Sequence, residues 1–350
     1  MPEPSNPLEP GSPEEVKPKV VKPKKDKREK LFTQEFPLVL TASPHDMNVA
    51  STPKIMWSVT AALVPSVAMG LYYFRWQALW LVLVCVGCAL LSEAAVNGLR
   101  KLPFTIGDGS AALTGLLLAL TLPPGLSLVS AGLGSVFAIV IGKQIFGGLG
   151  YNIFNPALLG RAFLQASFPV ALTTWVFPHT AKYAGIDGLG AATPLGLLKF
   201  EQTSTSYLDL LVGNIGGSVG ETSALAILAG GIFLLIKRYA DWRIVVSFLG
   251  STAAFGGLVW LFNPTGYPDP LFHLLSGGAL FGAFFMATDM VTSPVNPIGS
   301  WIFGCGCGVL LVVIRVFGGL PEGVMYSILL MNGVTPLINR YTRPKYMGEL

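Results

Sequence analysis

The chain has little charge for its size. Only 12% of its 350 residues are charged, whereas 52% are hydrophobic; an ordinary soluble domain carries about 25% charged residues. About ten apolar stretches approach or exceed the roughly 20 residues that a helix needs to cross a membrane. One soluble core cannot account for so many apolar stretches. The composition therefore excludes a soluble globular protein and predicts an all-α polytopic membrane protein.

Residues that bind metals or form redox pairs are also scarce. The sequence has three histidines, which show no metal-ligand spacing: His45, His179 and His273. Cys85 and Cys88 lie on one predicted helix face, but an iron–sulfur cluster needs four thiolates. Cys305 and Cys307 could supply the other two only if two distant helices met. The simpler interpretation is four small residues that pack in a helix bundle, and we predict no metal site.

The predicted transmembrane segments form two groups of five. The first group is 55–74, 77–97, 109–123, 126–146 and 151–171. The second group is 221–238, 243–262, 271–288, 297–316 and 322–339. The third segment of each group is short, is rich in small residues and ends in a polar or proline-rich stretch. This pattern predicts a helix broken inside the membrane in each group.

A repeated tetrapeptide relates the two groups. Phe-Gly-Gly-Leu occurs at 146–149 and at 317–320, each time before the last segment of its group. Because five is an odd number, the second group must cross the membrane in the opposite direction. The pattern predicts two inverted five-helix repeats, 35–171 and 221–342, with a site near the midplane. The alternative is a chance similarity between glycine-rich membrane segments.

The basic residues predict the orientation. Eight Lys and Arg residues lie between Lys17 and Lys30, in a tail (1–34) with too few apolar residues to fold. Basic segments stay in the cytoplasm, so we expect both this tail and the C-terminal tail (343–350) to be cytoplasmic. With alternate crossings, most other basic residues also fall on that side. The loop 172–220 is then predicted to be extracytoplasmic.

The most informative polar stretch, 187–195, lies in that loop. An Asp-Gly turn at Asp187 precedes Thr193 by six positions, and small residues and Pro194 surround Thr193. We expect Thr193 to be exposed, so that a modifying enzyme can reach its hydroxyl. Ala-Thr-Pro is also an ordinary loop sequence before a helix, and these residues alone leave both interpretations open.

Two further candidates lie in the fifth segment. Asn155 followed by Pro156 fits a helix start, with the asparagine as N-cap and proline at the first position. The free N–H groups of such a start could bind an anion or a flavin carbonyl. Arg161 falls inside the segment, where a charge is costly and usually functional or paired. The alternative for Arg161 is a side chain that extends to the membrane surface.

Three polar residues belong to the predicted broken helices. Asp108 precedes the first of them, where a carboxylate can cap the helix and interact with its dipole. Thr288 and Asp289 end the second. They could contact a cation or a flavin, or they could satisfy backbone N–H groups where the helix unwinds.

Three motifs in this order resemble the NqrB/RnfD family of membrane proteins, whose members belong to Rnf and Nqr complexes. The motifs are the run 148–164, the Thr193 segment, and the stretch from Phe285 to Val324. The closing run 330–338 is also similar to the last helix of the family. The resemblance covers about residues 35–345. Chain length and the compact external loop favour the Rnf side.

The resemblance implies a site of covalent flavin attachment. In this family FMN is bound through its phosphate to a threonine in a Ser/Thr-Gly-Ala-Thr motif preceded by an aspartate. Thr193 and Ala192 match this motif, and Asp187 lies near the expected acid. Gly190 and Ala191 depart from it. Asn155 and Arg161 are further candidates for flavin binding, whereas Asp289, Thr288 and Asp108 are candidates for ion or flavin contact.

The resemblance also implies a function. Rnf complexes pass electrons between ferredoxin and NAD and couple this transfer to Na⁺ or H⁺ movement across a bacterial or archaeal plasma membrane. We expect other membrane and peripheral subunits, a periplasmic flavin transferase and membrane lipids as partners, and no nucleic acid. A second, non-covalent flavin such as riboflavin is expected without assigned residues. The alternatives are a small-solute channel with inverted repeats and the NqrB-type component of a quinone-linked sodium pump.

Overall fold

Every regular element in the described part of the chain is a helix. The computed structural model describes residues 51–101, 105–179, 192–201, 205–264, 266–319 and 322–343. The predicted N-terminal tail, Asp187 and the segment after residue 343 lie outside the described residues. The all-α prediction is therefore confirmed for the part of the chain that the structure describes.

The helices before the loop are α1 (Thr52–Ala62), α2 (Val64–Leu99), α3 (Ser110–Thr121), α4 (Leu128–Ile139), α5 (Pro156–Ser167) and α6 (Pro169–Thr173). A π-helical turn, Val140–Gln144, continues α4. The loop contributes α7 (Pro194–Gly196), a π-helical turn (Leu197–Glu201) and α8 (Tyr207–Val212). The second half contains α9 (Ala224–Ile236), α10 (Trp242–Phe262), α11 (Pro270–Leu275), α12 (Ala279–Phe281), a π-helical turn (Gly282–Met286), α13 (Pro297–Phe317) and α14 (Val324–Tyr341).

Helices α1 and α2 form one helical run, Thr52–Leu99, which reverses direction at Arg75. This residue has φ 49 and ψ −126 inside α2, which is not helical. Near the start of the run, the Trp57 indole donates to the carbonyl of Gly107, with a distance of 3.4 Å. Near its end, Glu93 accepts from the hydroxyl of Thr105 at 2.7 Å. Both ends of the run therefore lie beside the short segment 105–107. The run consists of two antiparallel helices, and the position of the reversal agrees with the predicted boundary between 74 and 77.

Three helical runs in the described residues are long and apolar enough to cross a membrane: Thr52–Leu99, Trp242–Phe262 and Pro297–Phe317. Shorter apolar helices are Ser110–Thr121, Leu128–Gln144 and Ala224–Ile236. The protein is thus a polytopic membrane protein. The count of ten crossings stays a prediction, because several predicted segments correspond to helices shorter than a membrane-spanning length.

The short predicted segments are interrupted or truncated in the structure. α3 has only 12 residues, which corresponds to about 18 Å of rise. The predicted segment 271–288 is divided between α11 and α12, and the chain between them contains Gly277 (φ +58) and Gly278 (φ +70). Gly109, before α3, also has a positive φ of 77. Glycine adopts this left-handed conformation without the penalty that a Cβ brings, so both short helices begin directly after a position that suits glycine.

Neighbouring helices pack together within each half of the chain. α2 packs on α4 and α4 on α5, while α10 packs on α13 and α13 on α14. The halves meet where α1 contacts α9 and where α5 contacts α14. The repeat and the inverted relation between the halves stay predictions.

Candidate functional site

A cavity of about 330 Å³ joins the loop to both halves of the protein. We call it the Thr193 cavity. Its wall includes Arg161 from α5, Thr193 and Phe200 from the loop, and Glu221 and Glu322 from the second half. The structure therefore brings together two of the residues selected from the sequence, Arg161 and Thr193, although they belong to different segments.

Thr193 caps the short helix α7. Its Oγ1 accepts a hydrogen bond from the backbone N–H of Gly196 at 3.1 Å, and Pro194 occupies the first helical position. The prediction that Thr193 is exposed is wrong, because the residue is only 5% exposed. The cap and the burial of Pro194 and Leu195 draw the segment into the protein. The side chain nevertheless lies at the wall of the cavity.

Arg161 is paired with two carboxylates. Its Nη2 lies 2.6 Å from Oε2 of Glu322, and its Nη1 lies 3.4 Å from Oε1 of Glu221. Arg161 is 8% exposed, so it does not extend to the membrane surface, and the partner-charge interpretation accounts for its position. The sequence prediction did not identify Glu221. The sequence feature that could have identified Glu221 is its position at the edge of the sixth predicted segment, where a carboxylate needs a partner.

Glu221 and a second buried arginine, Arg315, lie at the break before α12. A Cβ placed on Gly278 would come within 2.5 Å of Oε1 of Glu221, so the carboxylate lies directly against this glycine. Arg315 is 4% exposed and donates to the carbonyls of His273 at 2.6 Å and Ser276 at 2.8 Å. The arginine thus satisfies carbonyl groups that the interruption frees from helical hydrogen bonds.

Asn155 lines a second, smaller cavity of about 80 Å³, which we call the Asn155 cavity. Its Oδ1 accepts from the N–H of Ala157 at 3.0 Å, which confirms the predicted N-cap of α5. Its Nδ2 donates to the carbonyl of Met286 at 3.3 Å. One side chain therefore starts a helix of the first half and contacts the second half.

Thr288 and Asp289 also line the Asn155 cavity, and the other candidate acid lies near it. The hydroxyl of Thr288 donates to the carbonyl of Phe284 at 2.7 Å, and Asp289 accepts from Thr292 at 3.0 Å. Asp108 accepts from the backbone N–H of Ser110 at 2.8 Å, as a residue that caps α3 would. Their roles as ion or flavin contacts stay predictions, and they are separate from the Thr193 cavity.

Comparison with known proteins supports the resemblance seen in the motifs. A model of the NQR2, RnfD, RnfE family matches residues 39–348. The chain belongs to this family. A protein of Clostridium ljungdahlii, named as the D subunit of a proton-translocating ferredoxin:NAD(+) oxidoreductase complex, is 45% identical over 88% of this chain and 96% of that protein.

Other relatives carry related names. The D subunit of the Na(+)-translocating ferredoxin:NAD(+) oxidoreductase complex of Acetobacterium woodii is 46% identical, over 90% of this chain and 96% of its own length. The D subunit of the ion-translocating oxidoreductase complex of Escherichia fergusonii is 40% identical, over 89% of this chain and 98% of its own length. This family member is thus similar to redox-complex subunits along nearly their whole length.

This family member contains a second buried ion pair that the sequence prediction missed. Nζ of Lys143 lies 2.9 Å from Oε1 of Glu93, and the two side chains are 2% and 1% exposed. Lys143 also donates to the hydroxyl of Ser110 at the start of α3. Its position inside the fourth predicted segment was the available signal, because a charge within a membrane segment is usually paired.

The cysteines of this family member lie on α2 and α13. The Cys85 thiol is buried and lies 3.9 Å from the carbonyl of Ala131 on α4. Cys307 is buried, whereas Cys305 is exposed. All four are free thiols, and the positions of the buried Cys85 and Cys307 suit small packing residues, whereas that of the exposed Cys305 does not.

Proposed function

We propose that this chain is the flavin-carrying membrane subunit of an Rnf-type complex, with FMN esterified through its phosphate to Thr193. The complex would pass electrons between ferredoxin and NAD and couple the transfer to Na⁺ or H⁺ movement. The observation that supports this proposal best is that the Thr193 hydroxyl and the Arg161 guanidinium lie on the wall of one cavity. The names of the relatives supply the class of complex.

The cavity suits a flavin in size and lining. Its volume of about 330 Å³ falls in the range of about 300–1,000 Å³ typical of small-molecule sites. Trp175, Phe200 and Tyr326 line it and offer aromatic surface against which a planar ring system can pack. When bound, FMN supplies one- and two-electron transfer, and the protein supplies orientation and electrostatics.

Arg161 is the residue that would hold the phosphate. A phosphate diester carries one negative charge, and a guanidinium binds such oxygens with charge-assisted hydrogen bonds. Glu221 and Glu322 fix the guanidinium from the side of the second half. The two carboxylates also limit how much negative charge the cavity can hold, which favours a diester over a free phosphate dianion.

Attachment requires access to a buried hydroxyl. The bond from Oγ1 of Thr193 to phosphorus forms as the bond from phosphorus to a nucleotide leaving group breaks. The leaving group takes the electron pair, and a base takes the hydroxyl proton. Because Thr193 is 5% exposed, we propose that the flavin transferase acts before the segment 192–201 packs into the protein, with the loop on the extracytoplasmic side.

Three further expectations belong to this proposal. Other subunits of the complex would exchange electrons with this chain, since it is similar to proteins named as subunits. Asp187 would assist attachment, and it lies outside the described residues. A second, non-covalent flavin is proposed without contacting residues, because the Asn155 cavity, at about 80 Å³, is smaller than a typical ligand site.

The test is fluorescence of the denatured protein in a gel under ultraviolet light, after co-expression with a flavin transferase. Wild type should give a fluorescent band, and Thr193→Ala should give none. Thr193→Ser keeps the nucleophile and should retain a band. Thr173→Ala is the matched control, because Thr173 lines the same cavity and its hydroxyl donates to the carbonyl of Pro169.

Two outcomes would contradict the proposal. If wild type gives no band while the transferase modifies another target, flavin attachment is wrong and the channel alternative gains support. If Thr193→Ala keeps the full band, flavin is attached at another residue.

A further inference from the structure

A third cavity, of about 220 Å³, lies on the other side of the turn that carries Thr193. We call it the His273 cavity, and its wall includes Lys199, Tyr267, His273 and Arg315. Leu195 and Lys199 line this cavity, whereas Thr193 lines the Thr193 cavity. The described residues that line the His273 cavity differ from those that line the Thr193 cavity.

Two residues of this wall carry three buried nitrogen atoms that have no hydrogen-bond partner among the residues that the structure describes. They are Nδ1 and Nε2 of His273 and Nε of Arg315. His273 is 1% exposed, and Arg315 is 4% exposed. Buried polar atoms in folded proteins are nearly always bonded to protein, to water or to a bound ion. A neutral imidazole donates from one ring nitrogen only, so His273 and Nε of Arg315 offer two unpaired N–H donors, and we infer a ligand that accepts hydrogen bonds.

The charge of the cavity wall indicates that this ligand is an anion. Lys199 and Arg315 both contribute to the wall, and the described lining residues include no carboxylate. Nζ of Lys199 donates to the carbonyls of Arg315 and Gly318, which leaves one of its three protons free. Burial lowers the pKa of Lys199, and a nearby anion would stabilise its charged form. A phosphate group has the negative charge and the acceptor oxygens that suit these donors.

An apolar side chain beside the cavity indicates that the anion is amphiphilic. Phe317 follows Val316, which lines the cavity, and is 70% exposed. In a membrane protein such side chains face acyl chains, whereas a site for a soluble phosphate has no need of them.

We propose that the His273 cavity binds the phosphate group of a membrane phospholipid. Lys199, His273 and Nε of Arg315 donate to the phosphate oxygens, and the acyl chains lie against Phe317. The bound lipid would thereby stabilise the contact between the turn Leu197–Glu201 and the end of α13. This proposal does not depend on flavin attachment.

The test uses the full chain, delipidated in detergent, with native mass spectrometry and thermal unfolding as measurements. The ligands are phosphatidylglycerol, diacylglycerol with the same chains, and inorganic phosphate. Phosphatidylglycerol should bind and raise the unfolding temperature, whereas diacylglycerol, which lacks phosphate, should do neither. Inorganic phosphate at the same concentration should have no effect. Equal effects of phosphate and phosphatidylglycerol would overturn the lipid assignment in favour of a soluble anion.

Two variants and a control distinguish binding from folding. His273→Phe removes two nitrogens that have no partner among the described residues, so without lipid it should unfold at the same temperature as wild type or higher. Lys199→Gln removes the charge and keeps a donor. Each variant should weaken phosphatidylglycerol binding by roughly tenfold, the loss expected for one charged hydrogen bond. Lys237→Gln, at an exposed lysine of the α9 end, should bind as wild type does. Unchanged binding in both cavity variants would overturn the proposal.

Discussion

The guanidinium of Arg161 and the carboxylate of Glu322 lie 2.6 Å apart, and this pair joins the last helix of the first half to the start of the last helix of the second. Glu221, at 3.4 Å, completes the cluster from a third segment. The three side chains are 9%, 21% and 10% exposed. The cluster therefore stabilises the contact between the halves and forms a wall of the Thr193 cavity.

Arg161→Met should destabilise the protein strongly. The substitution leaves two largely buried carboxylates without their cation, and removal of one member of a buried pair costs about 3–5 kcal/mol. The measurement is the free energy of unfolding of the full chain in detergent. Arg243→Met is the control, because Arg243 pairs with Asp241 at 3.8 Å near the surface and its loss should cost less than about 1 kcal/mol. Similar losses in the two variants would contradict a clamping role for Arg161.

The ion pair of Lys143 and Glu93 should behave as a coupled unit. Lys143→Met leaves the Glu93 carboxylate, which is 1% exposed, without its cation. The free energy of unfolding should fall by about 3–5 kcal/mol. The double variant with Glu93→Leu removes both charges and should recover most of that loss, because an apolar pair avoids the desolvation penalty. Unfolding of the single and double variants measures the coupling. Additive losses would show that the two side chains do not depend on each other.

Local features of the fold could be predicted from the sequence. The N-cap at Asn155 depends on residues within three positions, and the boundary at Arg75 follows from the length of an apolar stretch. The breaks before α3 and α12 follow from runs of small residues with glycine. Such features depend on neighbouring residues, and the composition of a short window is enough to predict them.

Contacts between distant segments could not be predicted in the same way. Arg161 is separated from Glu221 by 60 residues and from Glu322 by 161, and nothing in the sequence selects these partners among the other acids. The burial of Thr193 was also missed. Its segment is polar and reads as a surface loop, but its hydroxyl satisfies a helix terminus and its neighbours pack in the protein. Arg161 and Thr193 line one cavity, whereas the other described candidates at a cavity wall line another: Asn155, Thr288 and Asp289. Nothing in the sequence predicts this division.

Asn155 should stabilise the protein through both the oxygen and the nitrogen of its amide. Asn155→Ala removes the cap of α5 and the hydrogen bond to Met286, and should cost about 2 kcal/mol of unfolding free energy. Asn155→Asp keeps the capping oxygen but cannot donate to the carbonyl of Met286, so it should cost about 1 kcal/mol. Thermal unfolding of the full chain measures both. Equal losses in the two variants would show that the cap contributes nothing.

Gly278 should not tolerate a side chain. Gly278→Ala places a Cβ at φ +70, within 2.5 Å of the Glu221 carboxylate, and the left-handed conformation alone costs about 1–2 kcal/mol. Displacement of Glu221 should add to this loss. Gly250→Ala is the matched control, because a Cβ there meets nothing within 4 Å and alanine favours a helix by about 0.5–1 kcal/mol. Comparable unfolding free energies in the two variants would contradict the packing of Glu221 against Gly278.

The orientation predicted from the basic residues can be tested with single cysteines. Leu208 lies in the loop 172–220 and is 71% exposed, whereas Lys237 ends α9 on the side predicted to be cytoplasmic. The background is Cys305→Ala, since Cys305 is exposed. A membrane-impermeant maleimide applied to intact cells should label Leu208→Cys, and it should label Lys237→Cys only after the membrane is permeabilised, because basic ends of membrane segments stay in the cytoplasm. Labelling in the opposite order would place Thr193 in the cytoplasm, where a periplasmic transferase could not reach it. Labelling of both cysteine variants in intact cells would mean that the chain crosses the membrane an even number of times between positions 208 and 237.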